Sequence, residues 1–278
     1  MKIFKLSLAF VLVVFLTSFV FSQSKSEGED QSYGGMEIPG YISANLSLTY
    51  GSAKGNYFIN TLVLEGKSND YMLPELDVEV GIVNRLSLEL ITGYRKIVSN
   101  ASATSTKLNR TIKANKTSDG LNTIMLGANL GIMKEDKSRP GMYLQNQFFL
   151  PKTGYSNFQN EQLGYFTTFN MESTVSDITY FDYSLGAGWD GNSPYPIYSF
   201  NINPNFYVTD NIIAYADIGG IYAKYEGPVN LIDIGTTITI NDNFSIDACI
   251  GNQLQAKNYL KNTYGSLKFT YDFNAFAK

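Results

Sequence analysis

The side chains of this 278-residue chain that could do chemistry are carboxylates, because histidine is absent and Cys249 is the one cysteine. Lacking histidine, the chain has neither the usual acid/base near neutral pH nor the commonest metal ligand. A Ser–His nucleophile cannot be assembled. Two carboxylates at a set separation could still cleave glycosides, but no acidic pair here comes with a supporting motif. Ten acids, Glu75, Asp77, Glu79, Glu89, Glu172, Asp182, Asp217, Asp233, Asp247 and Asp272, fall on the polar positions of alternating segments, and only Arg95 and Lys268 oppose them. If those positions line a wet interior, the excess negative charge favours cations or neutral solutes over anions. The alternative is that they only solvate an interior, some of them paired with Arg95, Lys268 or tyrosine hydroxyls. Asp217, Asp233 and Asp247 could meet at a divalent cation, which takes oxygen ligands, although their spacing staggers them. No catalytic residue, resident metal or cofactor is expected.

The elements that must carry these acids are strands. Phe181, Tyr183, Leu185, Ala187 and Trp189 alternate with Asp182, Ser184, Gly186 and Gly188, the period of two that marks a strand with unlike faces. The same rhythm sets Tyr198, Phe200, Ile202 and Phe206 against Ser199, Asn201, Asn203 and Asn205. It sets Ile232, Ile234, Ile238 and Ile240 against Asp233, Gly235, Thr237 and Thr239, and Leu267, Phe269, Tyr271 and Phe273 against Ser266, Lys268, Thr270 and Asp272. Strands are predicted near 41–50, 75–82, 85–98, 119–133, 141–150, 161–173, 178–189, 196–206, 211–224, 228–240, 243–254 and 263–273. The stretch 57–65, apolar on both faces, would make thirteen. Single-chain barrels of the outer membrane have even counts, so the expectation is twelve, with 57–65 in a long surface connection.

An all-β, antiparallel transmembrane barrel over 41–278 explains the two faces better than a soluble sandwich. A sandwich turns its apolar rows inward and usually carries Lys and Glu outside; here the polar rows are Gly, Ser, Thr, Asn and Asp. Tyr94, Trp189, Phe206, Tyr222, Phe244 and Phe273 lie toward strand ends, where interfacial aromatic girdles sit. Tight connections at one end and longer ones at the other fit the same layout.

Lys2 and Lys5 ahead of an apolar run over 6–20, then Val20-Phe21-Ser22, read as a secretory signal over 1–22. Residues 23–40 read as a flexible periplasmic leader. Removing the signal's two lysines takes the net charge from −4 to −6, which gives no support for a nucleic-acid partner. The expected partners are outer-membrane lipid and a small-molecule solute. Lys107, Arg110, Lys113 and Lys116 in 99–118 suit a polar surface loop, able to meet anionic lipopolysaccharide or to gate a mouth.

Three stretches, LPELDVEVGIVNRLSLELITGY (73–94), QNQFFLPKTG (145–154) and DIGTTITINDNFSIDACIG (233–251), carry a family resemblance. Over 73–273 the chain resembles the phenol-degradation meta-pathway-like proteins, a group of outer-membrane transporters. The resemblance implies a barrel that takes up small, aromatic or apolar compounds, and it implies no catalytic residues. The expected function is therefore a porin-like channel for small molecules. A barrel that binds a partner or serves a structural role, and an exported β-sandwich binding protein, are the alternatives.

Overall fold

The computed structural model describes residues 39–59, 62–105, 107–136, 139–224, 227–255 and 261–275. Residues 1–38, which hold the expected signal and most of the expected leader, lie outside the described residues. The described elements are all strands: β1 (Tyr41–Ile59), β2 (Leu62–Val83), β3 (Leu86–Ser105), β4 (Arg110–Leu121), β5 (Met125–Met133), β6 (Gly141–Phe149), β7 (Gly164–Ser176), β8 (Thr179–Trp189), β9 (Ile197–Thr209), β10 (Ile212–Ala223), β11 (Gly227–Asn241), β12 (Phe244–Gln255) and β13 (Lys261–Asn274). Each pairs antiparallel with its neighbours, and β1–β13 and β2–β3 pairing close the sheet on itself.

Thirteen strands make a twelve-place barrel, because β4 and β5 share one edge of β3. Residues 94–105 of β3 pair with β4, and residues 86–91 pair with β5. Twelve strands about 4.8 Å apart and tilted by roughly 40° enclose a backbone tube about 24 Å across. Closure is what lets this chain lie in a bilayer, since an open edge would leave unpaired amides in hydrocarbon.

The apolar rows point out, which excludes the sandwich. Among the described residues, the buried apolar side chains are Ile42, Val80 and Ile91, whereas Leu185, Ile234, Ile240 and Ile250 are each more than half exposed. Tyr94, Phe206 and Tyr222 are exposed on the same outer rows, as a girdle requires. Leu185 lies mid-strand between Phe169 and Phe200. An arginine there should destabilise the inserted barrel by about 2–4 kcal/mol. Urea unfolding of Leu185→Arg in lipid vesicles checks this, and an unchanged midpoint would contradict the outward orientation.

Two expected connections are in fact strands. Residues 51–59 and 62–74 extend β1 and β2 into one long hairpin that stays paired to Ile59–Leu62. Residues 99–105 form the upper part of β3 and 110–118 most of β4, paired to Ser105–Arg110. Their turn is made by Asn109 at φ 48°, a left-handed value that Asn tolerates. A tilted membrane strand needs about 9–11 residues, yet β2 has 22 and β3 has 20. The surplus raises β1–β4 as a four-stranded sheet above the rest of the wall, at the end opposite Gly40 and Ala275. Those two residues hydrogen-bond side by side, from the Ala275 amide to the Gly40 carbonyl, at 2.8 Å.

Candidate functional site

The lumen wall is set by parity, and parity changes partway along β2. Along β1, odd residues face in, and they meet Glu75, Asp77 and Glu79 below a register shift between Met72 and Glu75, but Asp70 and Met72 above it. Pro74 sits in that shift, where its missing N–H costs no ladder bond. The switch brings Asp70 and Arg95 to one side of the wall. Arg95 Nε donates to Asp70 Oδ1 at 3.0 Å and Nη2 donates to Oδ2 at 2.5 Å, a two-point charged contact stronger than a single neutral bond. Asp70 was hidden from sequence reasoning because its segment reads as a surface connection.

Phe158 was also missed, and it reaches Arg95 from the far side of three strands. Its ring centre is 5.7 Å from the guanidinium carbon, within cation–π range. This is possible because the β6–β7 connection folds inward. Where β4 gives way to β5, the freed backbone groups are taken up by that connection: the Tyr155 amide donates to the Leu121 carbonyl at 2.8 Å, the Ile124 amide to Thr153 Oγ1 at 3.0 Å, and Thr123 Oγ1 to the Phe158 carbonyl at 2.8 Å. Gly154 packs so tightly on Asn122 and Thr123 that a Cβ would lie 3.0 Å from their backbone. On the other flank, Asn160 is buried and donates to the Asp190 carbonyl at 2.5 Å. The Pro-Lys-Thr-Gly motif over 151–154 thus turns the chain onto the inner face of the wall, with Lys152 at φ 57°.

Below this inward segment, the structure gathers Asp77, Glu79 and Glu89, and several neutral donors reach them. Glu79 stands opposite Glu89 in the β2–β3 ladder. Glu79 accepts from Ser87 Oγ and, at 2.9 Å, from Asn129 Nδ2. Glu89 accepts from Gln145 at 3.2 Å and Gln147 at 3.1 Å, and Asp77 lies 3.4 Å from Asn45 Nδ2. These amides satisfy hydrogen bonding and bring no charge of their own. Asp77 Oδ1 and Asn129 Oδ1 are buried with no hydrogen-bond partner in the protein, which demands a wet interior around them. Glu75 shares the row, packed against Gly93.

The remaining acids are spread around the tube. Glu172 faces Asp182 across β7–β8, and Asp182 accepts from Asn205 at 2.9 Å. Asp217 accepts from Asn201 at 3.1 Å. Tyr215 lies over Gly235 and Tyr264 over Gly251, where a Cβ would collide with each ring. So seated, Tyr215 donates to Asp247 at 3.0 Å and Tyr264 donates to Asp233. Asp217 and Asp233 are direct partners, whereas Asp247 pairs with Thr237, four residues further along β11, roughly 13 Å away at strand rise. The three do not converge. Lys268 stands opposite Asp247 and Ser47, and Asp272 opposite Ser43.

Two solved structures share this architecture. An outer membrane channel from Pseudomonas putida F1 superposes with TM-score 0.60 at 12% identity, covering 90% of this chain and all of that one. The transport unit of the autotransporter AIDA-I from Escherichia coli gives TM-score 0.60 at 12% identity, covering 94% of this chain and 97% of that one. At such identities the likeness is one of fold. No curated protein matches the sequence. The wall from β2 to β13 does match a family model over residues 75–269, and the chain belongs to that family, described as "Putative MetA-pathway of phenol degradation".

Proposed function

We propose that this protein is a passive channel that admits small neutral or cationic solutes through the outer membrane. The observation that carries the reading is a closed barrel, apolar outside and charged inside, narrowed at one end by Arg95, Asp70 and Phe158. Passage calls for no catalytic step. Selectivity is assigned to Glu75, Asp77, Glu79, Glu89, Asp182, Asp217, Asp233 and Asp247, with Arg95 and Lys268 as the opposing charges. A small aromatic compound is the preferred solute class: the family description names phenol degradation, and the constriction presents a phenyl face beside a charged pair. Export by the signal over 1–22, a periplasmic leader over 23–40, and both termini on the periplasmic side complete the reading.

The purified full chain, reconstituted in liposomes, should swell them in isotonic small sugars or phenol-sized solutes and give discrete steps in planar bilayers. Liposomes that stay impermeable with a correctly inserted barrel would overturn the proposal in favour of a partner-binding or structural barrel.

A further inference from the structure

The raised β1–β4 sheet sorts its charges by face. Lys54 is on the side of Tyr50, Lys67 on that of Tyr71, Lys96 on that of Tyr94, and Lys113 on that of Asp119, which Tyr94 Oη contacts at 2.6 Å. This is the outer side, continuous with the lipid-facing rows, and all four lysines are exposed. On β1–β3 the opposite face, above Asp70 and Arg95, carries Ala53, Leu64, Gly66, Ile97, Ala101 and Ala103 and no described charge. Lys54 and Lys67 are direct cross-strand partners, an arrangement that is destabilising in itself because like charges repel. An anion placed between them removes that cost. The outer carboxylates are fewer, two against four lysines: Asp119 stands directly across from Lys96 and accepts from Tyr94, and Glu65 accepts from Ser102 at 3.4 Å.

Height selects the anion. Tyr50 and Tyr71, with ring centres 5.1 Å apart, mark the headgroup level where aromatic belts sit. Lys96 is level with Tyr71, and Lys54 and Lys67 lie four residues above it, about 13 Å along the strand. With the raised end facing outward, which rests on the proposed function, Lys96 reaches the headgroup level and Lys54 and Lys67 the sugar layer just above it.

We propose that Lys54, Lys67, Lys96 and Lys113 form a binding face for a phosphorylated glycolipid of the outer leaflet. The inference is independent of whether the lumen conducts. The test uses the full chain in phosphatidylcholine nanodiscs containing either bisphosphorylated lipid A or its dephosphorylated form, with retained glycolipid read by native mass spectrometry. The bisphosphorylated form should be retained about tenfold better, and Lys54→Gln, Lys67→Gln, Lys96→Gln and Lys113→Gln together should erase that preference with bilayer conductance unchanged. The Lys54→Gln, Lys67→Gln pair should lose part of it, which keeps the test open if the quadruple variant inserts poorly. Lys107→Gln, Arg110→Gln and Lys116→Gln, at the tip and inner face, should retain it. Equal retention of both lipids, or loss only in this last variant, would overturn the assignment.

Discussion

Asp77→Asn, Glu79→Gln and Glu89→Gln, combined in one chain, should abolish most of a preference for potassium over chloride in bilayers at pH 8. The three acids sit within two neighbouring strands, Glu79 directly opposite Glu89 and Asp77 two residues along. Their bonding partners, Ser87, Asn129, Gln145, Gln147 and Asn45, are uncharged. Lys268 stands nearby across β1, but three acids outweigh one cation, and in a narrow low-dielectric tube a few fixed charges dominate selectivity. The amide variants keep size and most hydrogen bonds, so the barrel should still insert. The expected change is about a fivefold fall in the potassium-to-chloride permeability ratio, read from the reversal potential in a salt gradient. Asp217→Asn and Asp233→Asn, higher in the tube, should shift it less. A ratio unmoved by the triple change would mean that these acids only solvate the wall.

The acids further round the tube were legible in the sequence because the middles of β8 to β13 alternate cleanly. A wall wet on one side and oily on the other writes period two into every strand, and Asp182, Asp217, Asp233 and Asp247 follow from it. The upper halves of β1 to β4 are wet on both sides. Ser, Thr, Asn and Lys then occupy both parities, as over 99–118, and a strand of that composition reads as a loop. Parity also fails at Pro74, so Asp70 could not be placed beside Arg95 without coordinates. The odd count of segments resolves differently from the sequence expectation: 57–59 and 62–65 belong to the β1–β2 hairpin, and β4 and β5 share one place. Phe158 lay beyond reach because a connection has no period, although Pro151-Lys152-Thr153-Gly154 already marked where the chain turns in.

That inward turn carries the other large expected effect. Replacing 155–159 by two glycines should raise single-channel conductance about two- to threefold, because conductance follows the open section at the narrowest point. The deletion takes away the Phe158 ring over Arg95 and the Tyr155 ring against Gly120. It leaves the wall intact, since β6 and β7 remain paired from Gly141–Glu172 to Phe149–Gly164, so heat-modifiable gel migration should be preserved. Phe158→Ala alone should open the mouth less, because the backbone stays pinned through Tyr155 and Thr123. Arg95→Ala should act with it rather than add to it: the guanidinium is the platform on which the ring rests, and residues sharing one contact are non-additive. Conductance equal to the parent's in the deletion variant would place the bottleneck lower, among Glu79, Glu89, Gln145 and Gln147, and would reduce the 151–160 segment to a brace for the break between β4 and β5.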